Sequence, residues 1–338
     1  MKTLNNLSIP IIQGGMGVGI SLGGLAGAVA ACGGMGVIST ANIGFREDDF
    51  WTNTQEANRR ALTKEIKKAQ KIANGKGLIG INAMVATTNF ADMVKTACEA
   101  GIDAIIAGAG IPLELPEIVK DFKVMIAPIM SSGRGAKTIC KLWKKRYDRS
   151  PDFIVVEGSD AGGHLGFSQD ELEEQTTQPL EQILTDVIAG VDDVPVFCGG
   201  GVFDKADIEK SLSLGARGVQ IGTRFIATEE CDASQGYKDA IIAAKGEDVT
   251  ILKSPVGMPG RGLKTPLIAK AKSGERFPAQ ICIGCIHSCN PQTTPYCINR
   301  ALIDAFYGKN ETGLFFCGSN VGRINKMTTV EELIEELK

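Results

Sequence analysis

Among the 338 residues, two histidines, ten cysteines and three glycine-rich turns have the residue types and spacing to do chemistry. His164 closes the run Glu157-Gly158-Ser159-Asp160-Ala161-Gly162-Gly163-His164. An imidazole changes charge near neutral pH, so it can take a proton from a carbon acid or return one to a carbanion. A loop histidine that caps a helix or binds a carbonyl has the same appearance in sequence, and Glu157 and Asp160 beside it read as hydrogen-bonding partners more than as catalysts. Two glycine runs, Cys198-Gly199-Gly200-Gly201 and Gly222-Thr223-Arg224, lack the side chains that would keep an anion away from backbone N–H groups. Such runs cradle phosphates, and they also make tight turns.

The cysteines Cys282, Cys285, Cys289 and Cys297 follow the spacing C-x2-C-x3-C-x7-C, compact enough for four thiolates to converge on one metal centre. A 4Fe–4S cluster fits that spacing, and zinc fits it with His287 replacing one sulfur. Free thiols in a loop-rich lid are the other reading. Cys32, Cys98, Cys140, Cys198 and Cys231 read as ordinary small core or surface residues.

The elements that must position these groups follow a repeating pattern. Short β-branched runs at Ile9–Gln13, Gly36–Thr40, Leu78–Asn82, Ala104–Ala107, Val124–Pro128, Phe153–Glu157, Val194–Cys198 and Gly218–Ile221 are separated by segments of helical spacing. The helical segments include Leu22–Cys32, Asn58–Asn74, Phe90–Ala100, Arg134–Arg146, Leu180–Ala189 and Lys205–Leu214. Eight alternating βα units predict an α/β fold of the (β/α)8 TIM-barrel class, whose chemistry lies at the C-terminal ends of the strands. In such barrels a phosphate commonly sits on the loops after the seventh and eighth strands, which is where both glycine runs fall. After about Phe225 the rhythm stops. Residues 1–228 are therefore expected to form the barrel, and 229–338 a smaller helical, loop-rich and cysteine-rich lid packing back on its mouth. The tail holds a helix near Tyr237–Lys245, a Pro/Gly-rich loop at Ser254–Gly262 and a terminal helix opened by a Thr329-x-x-Glu332 capping pattern.

At this point the chain resembles a known family. IPIIQGGMG with LAGAVAACGGMGVIS, EGSDAGGHLG, and VPVFCGGGVFDKADIEKSLSLGARGVQIGTRFIATEE are similar, in this order, to the first strand and helix, the histidine motif and the phosphate-binding half of the nitronate monooxygenase (2-nitropropane dioxygenase) family. That family is related to the enoyl-ACP reductases that use flavin mononucleotide (FMN). The resemblance covers most of residues 8–230. It implies an FMN-dependent oxidoreductase in which Gly14, Gly15 and Met16 pass over the flavin ring and Asn82 hydrogen-bonds it. Gly200, Gly201, Gly222 and Thr223 then hold the phosphate, Gln220 adds a flavin contact, and His164 is the active-site histidine. The implied activity is oxidation of alkyl nitronates or nitroalkanes with O2. The alternative is enoyl-ACP reduction with NAD(P)H, which alone would require an acyl carrier protein as partner. IMP dehydrogenase shares the GTRF-type loop, but no cysteine follows the sixth strand here to act as its nucleophile. Relatives often carry Glu-Ala-Gly-Gly-His where this chain has Asp160-Ala161-Gly162-Gly163-His164, one methylene shorter with the carboxylate kept. The cysteine spacing is similar at its start to the iron–sulfur loop of 2,4-dienoyl-CoA reductase-like flavoproteins, although the last gap is shorter. Ser254–Arg261 and Gly318–Gly322 are similar to family positions near the flavin, and Arg261 could contact an anion.

Composition narrows the partners. With 43% hydrophobic and 22% charged residues and a net charge of −3, the chain can bury a large core and has no bulk attraction for nucleic acid or anionic membrane. The basic run Lys141, Lys144, Lys145, Arg146 and Arg149 reads as a solvated helix face. No residue from Pro10 to Phe45 is charged, but the glycines crowding that stretch argue for strand, loop and buried helix over a membrane span. MKTLNNLSIP lacks a secretory h-region, so a cytoplasmic protein with reduced thiols, acting on a small-molecule substrate, is expected. A homo-oligomer is compatible with this composition.

Overall fold

The computed structural model describes residues 2–338. Eight parallel strands close into a barrel in the order β1 (Ile11–Gln13), β2 (Met35–Ser39), β3 (Leu78–Met84), β4 (Ala104–Gly108), β5 (Met125–Met130), β6 (Ile154–Glu157), β8 (Val196–Gly199) and β9 (Gly218–Ile221). Closure comes from β9 pairing with β1 in the register Ile12 to Gln220. All eight expected strands are present, with no boundary shifted by more than two residues. The helices between them are α1 (Gly23–Ala31), α2 (Thr54–Ala73), α3 (Phe90–Glu99), α4 (Leu115–Ile118), α5 (Gly133–Tyr147), α6 (Gln169–Glu173), α7 (Leu180–Gly190), α8 (Lys205–Ser213) and α9 (Thr223–Ile226).

The strands are apolar almost throughout because both of their faces are buried. Alternate residues point inward, and Ile12, Met35, Val37, Leu78, Ile106, Met125, Phe153, Val155 and Phe197 fill the interior. Phe153 and Phe197 meet edge to face at 5.5 Å. Their neighbours Ile38, Ile81, Ile105, Ile154, Val156 and Val219 face the helices and join the outer core.

Helix α1 shows why the uncharged glycine-rich stretch folds this way. A Cβ on Gly36 would lie 1.9 Å from the Ala26 carbonyl oxygen, and one on Gly27 would lie 2.7 Å from the Cβ of Ile72. The glycines thus let α1 lie directly against β2 and α2. Its first turn is capped from far away. Asp232 accepts the N–H groups of Leu22 (2.9 Å), Gly24 (3.1 Å) and Leu25 (3.0 Å), Glu65 accepts that of Gly23 (2.9 Å), and Lys68 lies 3.0 Å from Asp232. Among the described residues no helix is long and apolar enough to cross a membrane.

The tail contributes α10 (Gln235–Ala243), β10 (Val249–Lys253), β11 (Pro259–Leu263), α11 (Pro266–Lys272), α12 (Ile298–Phe306) and α13 (Val330–Leu337). The Thr329–Glu332 capping box is formed as expected. The Pro/Gly-rich segment is only partly a loop: Pro259–Leu263 is a strand, pairing antiparallel with β10 on one side and with the two-residue strand β7 (Gly163–His164) on the other. Pro259 is tolerated because it begins the strand. Tyr237, Phe306, Phe315 and Leu333 from the tail share one continuous core with the barrel.

Candidate active site

The inward alternation of the barrel strands sets polar side chains at the C-terminal rim: Asn82 on β3, Glu157 on β6 and Gln220 on β9. The turn after β1 lies on this rim. A Cβ on Gly15 would stand 2.3 Å from the Cβ of Asn82, and one on Gly14 would stand 3.3 Å from the Gln220 side chain. At Gly15 only glycine permits that approach. Above the rim is a cavity of about 470 Å3 lined by Gly14, Gly15, Met16, Asn82, His164, Gly200, Gly201, Gln220, Gly222 and Thr223. These are the ten residues that sequence reasoning placed at the catalytic and cofactor site. Its volume lies within the range of small-molecule and cofactor pockets.

One end of the cavity is formed by the turns after β8 and β9. Gly200 has φ +80° and Gly201 φ +129°, conformations that side-chain-bearing residues rarely adopt, and a Cβ on Gly200 would lie 2.6 Å from the Gly158 nitrogen. Gly222 precedes the first turn of α9, whose N–H groups have no partner within the helix. The tail braces both turns: Asn320 Nδ2 donates to the Gly201 carbonyl at 2.8 Å, and the Gly318 N–H donates to Thr223 Oγ1 at 2.9 Å. Accepting from Gly318 leaves the Thr223 hydroxyl proton free for an anion.

The other end carries His164, whose main chain is fixed by β7 pairing with Gly260. Its Nε2 lies 2.8 Å from Ser254 Oγ, and its ring meets Phe316 edge-on at 5.2 Å. Ser254 Oγ also accepts the Val256 N–H at 3.3 Å. Burial without a counter-charge pulls the imidazole down to about 4, so it is neutral at physiological pH. The same desolvation pushes the Glu157 carboxyl up to about 8. Asp160 also lines the cavity and accepts the Ser319 N–H through its carbonyl at 3.1 Å. Arg261 is turned aside, donating through Nη2 to the Ser159 carbonyl at 2.8 Å, with Asp160 nearby.

The four clustered cysteines stand apart from this site. Burial pushes the Cys285 thiol up, and Cys297, Cys289 and Cys282 lie near enough to add to the rise, although among the described residues no group of three or more His, Cys, Asp or Glu side chains is placed to hold a metal ion. Cys282 is exposed, whereas Cys285 and Cys289 pack partly into the apolar cluster of Leu267, Ile286, Tyr296 and Leu314. Cys297 occupies the N-cap of α12. The segment is anchored to the β3–α3 turn, with the His287 N–H donating to the Ala86 carbonyl at 3.0 Å and Thr88 Oγ1 to that of Gly284 at 2.9 Å.

Sequence reasoning placed Ser254 and Met258 near the flavin only by resemblance and missed Ser254 as the histidine's partner, and it missed Tyr237, Phe316 and Cys317 in the cavity lining. None belongs to a chemically diagnostic run. The similar segments Ser254–Arg261 and Gly318–Gly322 were the available signal.

Known proteins agree with this arrangement. The family model for nitronate monooxygenase matches residues 1–338. A probable nitronate monooxygenase of Staphylococcus saprophyticus is 27% identical over 293 residues, covering 79% of either chain. A (3aS,4S,5R,7aS)-5-hydroxy-7a-methyl-1-oxo-octahydro-1H-indene-4-carboxyl-CoA dehydrogenase of Mycobacterium tuberculosis is 27% identical over 277 residues, 82% of this chain and 69% of that one. Among solved structures, FabK of Thermotoga maritima superposes with a TM-score of 0.77 at 25% identity, over 98% of this chain and 92% of its own. A nitroalkane oxidase of Streptomyces ansochromogenes shares the fold, with a TM-score of 0.76 at 17% identity over 98% and 95% of the two chains. Matched from end to end, the chain belongs to the nitronate monooxygenase family.

Proposed function

We propose that the protein is an FMN-dependent nitronate monooxygenase acting on small alkyl nitronates and nitroalkanes. The observation that carries this reading is the meeting of the Gly199–Gly201 and Gly222–Thr223 turns with the rim amides Asn82 and Gln220 around one cavity. The residues fit the cofactor: glycine turns that a Cβ would fill suit a phosphate, and side-chain amides at the rim suit the donor and acceptor edge of a flavin. FMN, when bound, supplies the two-electron chemistry that oxidises the nitronate and returns electrons to O2.

The chain's own work is to bind, orient and move a proton. Gly14, Gly15 and Met16 form the cover under which the ring fits. His164, neutral at pH 7, is the base for the neutral nitroalkane. When its Nε2–H donates to Ser254, the Nδ1 lone pair is left for the substrate's α-proton. Phe316, Met258 and Leu302 supply apolar walls that limit water. Residues 229–338 act as a lid unit over the barrel of 1–228, delivering Ser254, Phe316 and Asn320 to the site.

The likeness to FabK, at 25% identity over 98% of the chain, favours a second reading, NAD(P)H-dependent reduction of an enoyl thioester on the same flavin. Anaerobic mixing separates the two. Bleaching of the flavin by ethylnitronate and not by NADH or NADPH supports the monooxygenase. Bleaching by NAD(P)H with reoxidation by crotonyl-CoA or crotonyl-ACP supports the reductase.

A further inference from the structure

Strand β6 turns Phe153 and Val155 into the barrel interior and Ile154 and Val156 out toward the helices, so the same alternation brings Glu157 inward at the rim. Glu157 stands in register with Gly199, the first residue of the glycine turn that would hold the phosphate, and it lines the same cavity as Asn82 and Gln220. Of these three rim groups, two are amides with both donor and acceptor. The third is a carboxyl with no side-chain hydrogen bond to any described residue.

We propose that Glu157 is a cofactor-binding residue that stays protonated and donates a hydrogen bond from its carboxyl to bound FMN. The inference rests on the FMN reading above and adds a residue and a protonation state to it. Two arguments favour the neutral form. First, among the described residues no cation pairs with Glu157, whose raised pKa comes from desolvation alone. The charged and titratable groups around the cavity are Asp160 and His164 from the loop after β6, Arg224 from α9, Tyr237 from α10, Arg261 from β11 and Cys317 beyond α12. Arg224 is bound to Glu336 at 3.0 Å and to the Phe203 carbonyl at 3.1 Å. Arg261 is bound to the Ser159 carbonyl and lies near Asp160. Second, a phosphate beside Gly199–Gly201 would repel a carboxylate at this position, whereas a carboxylic acid is a donor that an oxygen-rich ligand can use. Burial already raises the acid to about 8 in the protein alone, and binding an anion raises it further.

The sign of the pH effect follows. Above about 8 the protein must take up a proton in order to bind FMN, so affinity falls toward tenfold per pH unit. The test is titration of apoprotein with FMN, read by quenching of flavin fluorescence from pH 6.5 to 9.5, on wild type, Glu157→Gln and Glu157→Ala. The amide keeps a donor, matches the acid in shape and cannot ionise. Expected are a wild-type affinity that drops on the alkaline side, a Glu157→Gln affinity that is flat there and close to wild type at pH 7, and a roughly tenfold loss at pH 7 in Glu157→Ala. A Glu157→Gln profile that falls as wild type does, or a Glu157→Ala affinity equal to wild type, overturns the role of Glu157 and leaves FMN binding standing. Wild type that fails to quench FMN at any pH overturns both.

Discussion

At the β8–β9 end of the cavity the groups proposed to hold the phosphate are main-chain amides of glycines close together in sequence. At the β7 end, by contrast, His164 depends on Ser254, 90 residues further along the chain, and on Phe316. At Gly200 the first end has no room for a side chain, and Glu157, in register with Gly199, is a titrating side chain there. The second is built from side chains, so pH and single substitutions tune it. The proposed binding function is thereby written into local backbone, and the proposed proton-transfer function into long-range packing by the tail.

The largest expected effect separates the two ends directly. His164→Ala should lower turnover of neutral nitroalkane by roughly 10²- to 10⁴-fold while sparing FMN affinity and turnover of the preformed nitronate, as steady-state rates on the two substrate forms will report. Equal losses on both forms would remove the base from the account. At the other end, Gly200→Ala puts a Cβ against Gly158 at a positive φ, and should cost about 1–3 kcal/mol of stability together with most FMN binding, measured by thermal unfolding and flavin titration. Asp232→Ala, which touches neither end, should cost about 2 kcal/mol by leaving three amides at the start of α1 without their acceptor. Denaturant unfolding will show it, and FMN affinity at low temperature should not change. Ser254→Ala should lower neutral-nitroalkane kcat/KM by roughly fivefold, about 1 kcal/mol, because it frees the imidazole to reorient.

The smallest effect is an absence of change. The folded protein holds His164 at about 4, below the ordinary histidine range, so its base form is complete well below pH 6.5 and is lost only as pH falls through about 4. Neutral-nitroalkane kcat/KM should therefore be flat between pH 5.5 and 7.5. A midpoint near 6.5 would mean that the histidine is solvated.

The same contrast explains what the sequence revealed. The barrel was legible because parallel strands buried on both faces leave continuous apolar runs, and because each glycine turn lies at the end of such a run. Gly200, Gly222 and His164 could be placed from their motifs alone. Tyr237 could not, and the Ser254 segment was placed near the flavin without its partner, since a serine or tyrosine in the tail has no local pattern that announces which barrel residue it will meet. Strand β11 was hidden in a Pro/Gly-rich stretch because its pairing with β10 and β7, and not its own propensity, makes it a strand. The cysteine spacing suggested a metal centre; it brought Cys282, Cys285, Cys289 and Cys297 near one another, with Cys285 and Cys289 packed into an apolar cluster and Cys282 exposed, but among the described residues no group of three is placed to hold a metal ion.

The central claim is that two backbone turns meet at one phosphate, and comparing the affinities of apoprotein for FMN and riboflavin by fluorescence quenching tests it most directly. Binding of FMN at least 100-fold tighter than riboflavin, with the difference abolished in Gly200→Ala, is the predicted result. Equal affinities for the two flavins would contradict it.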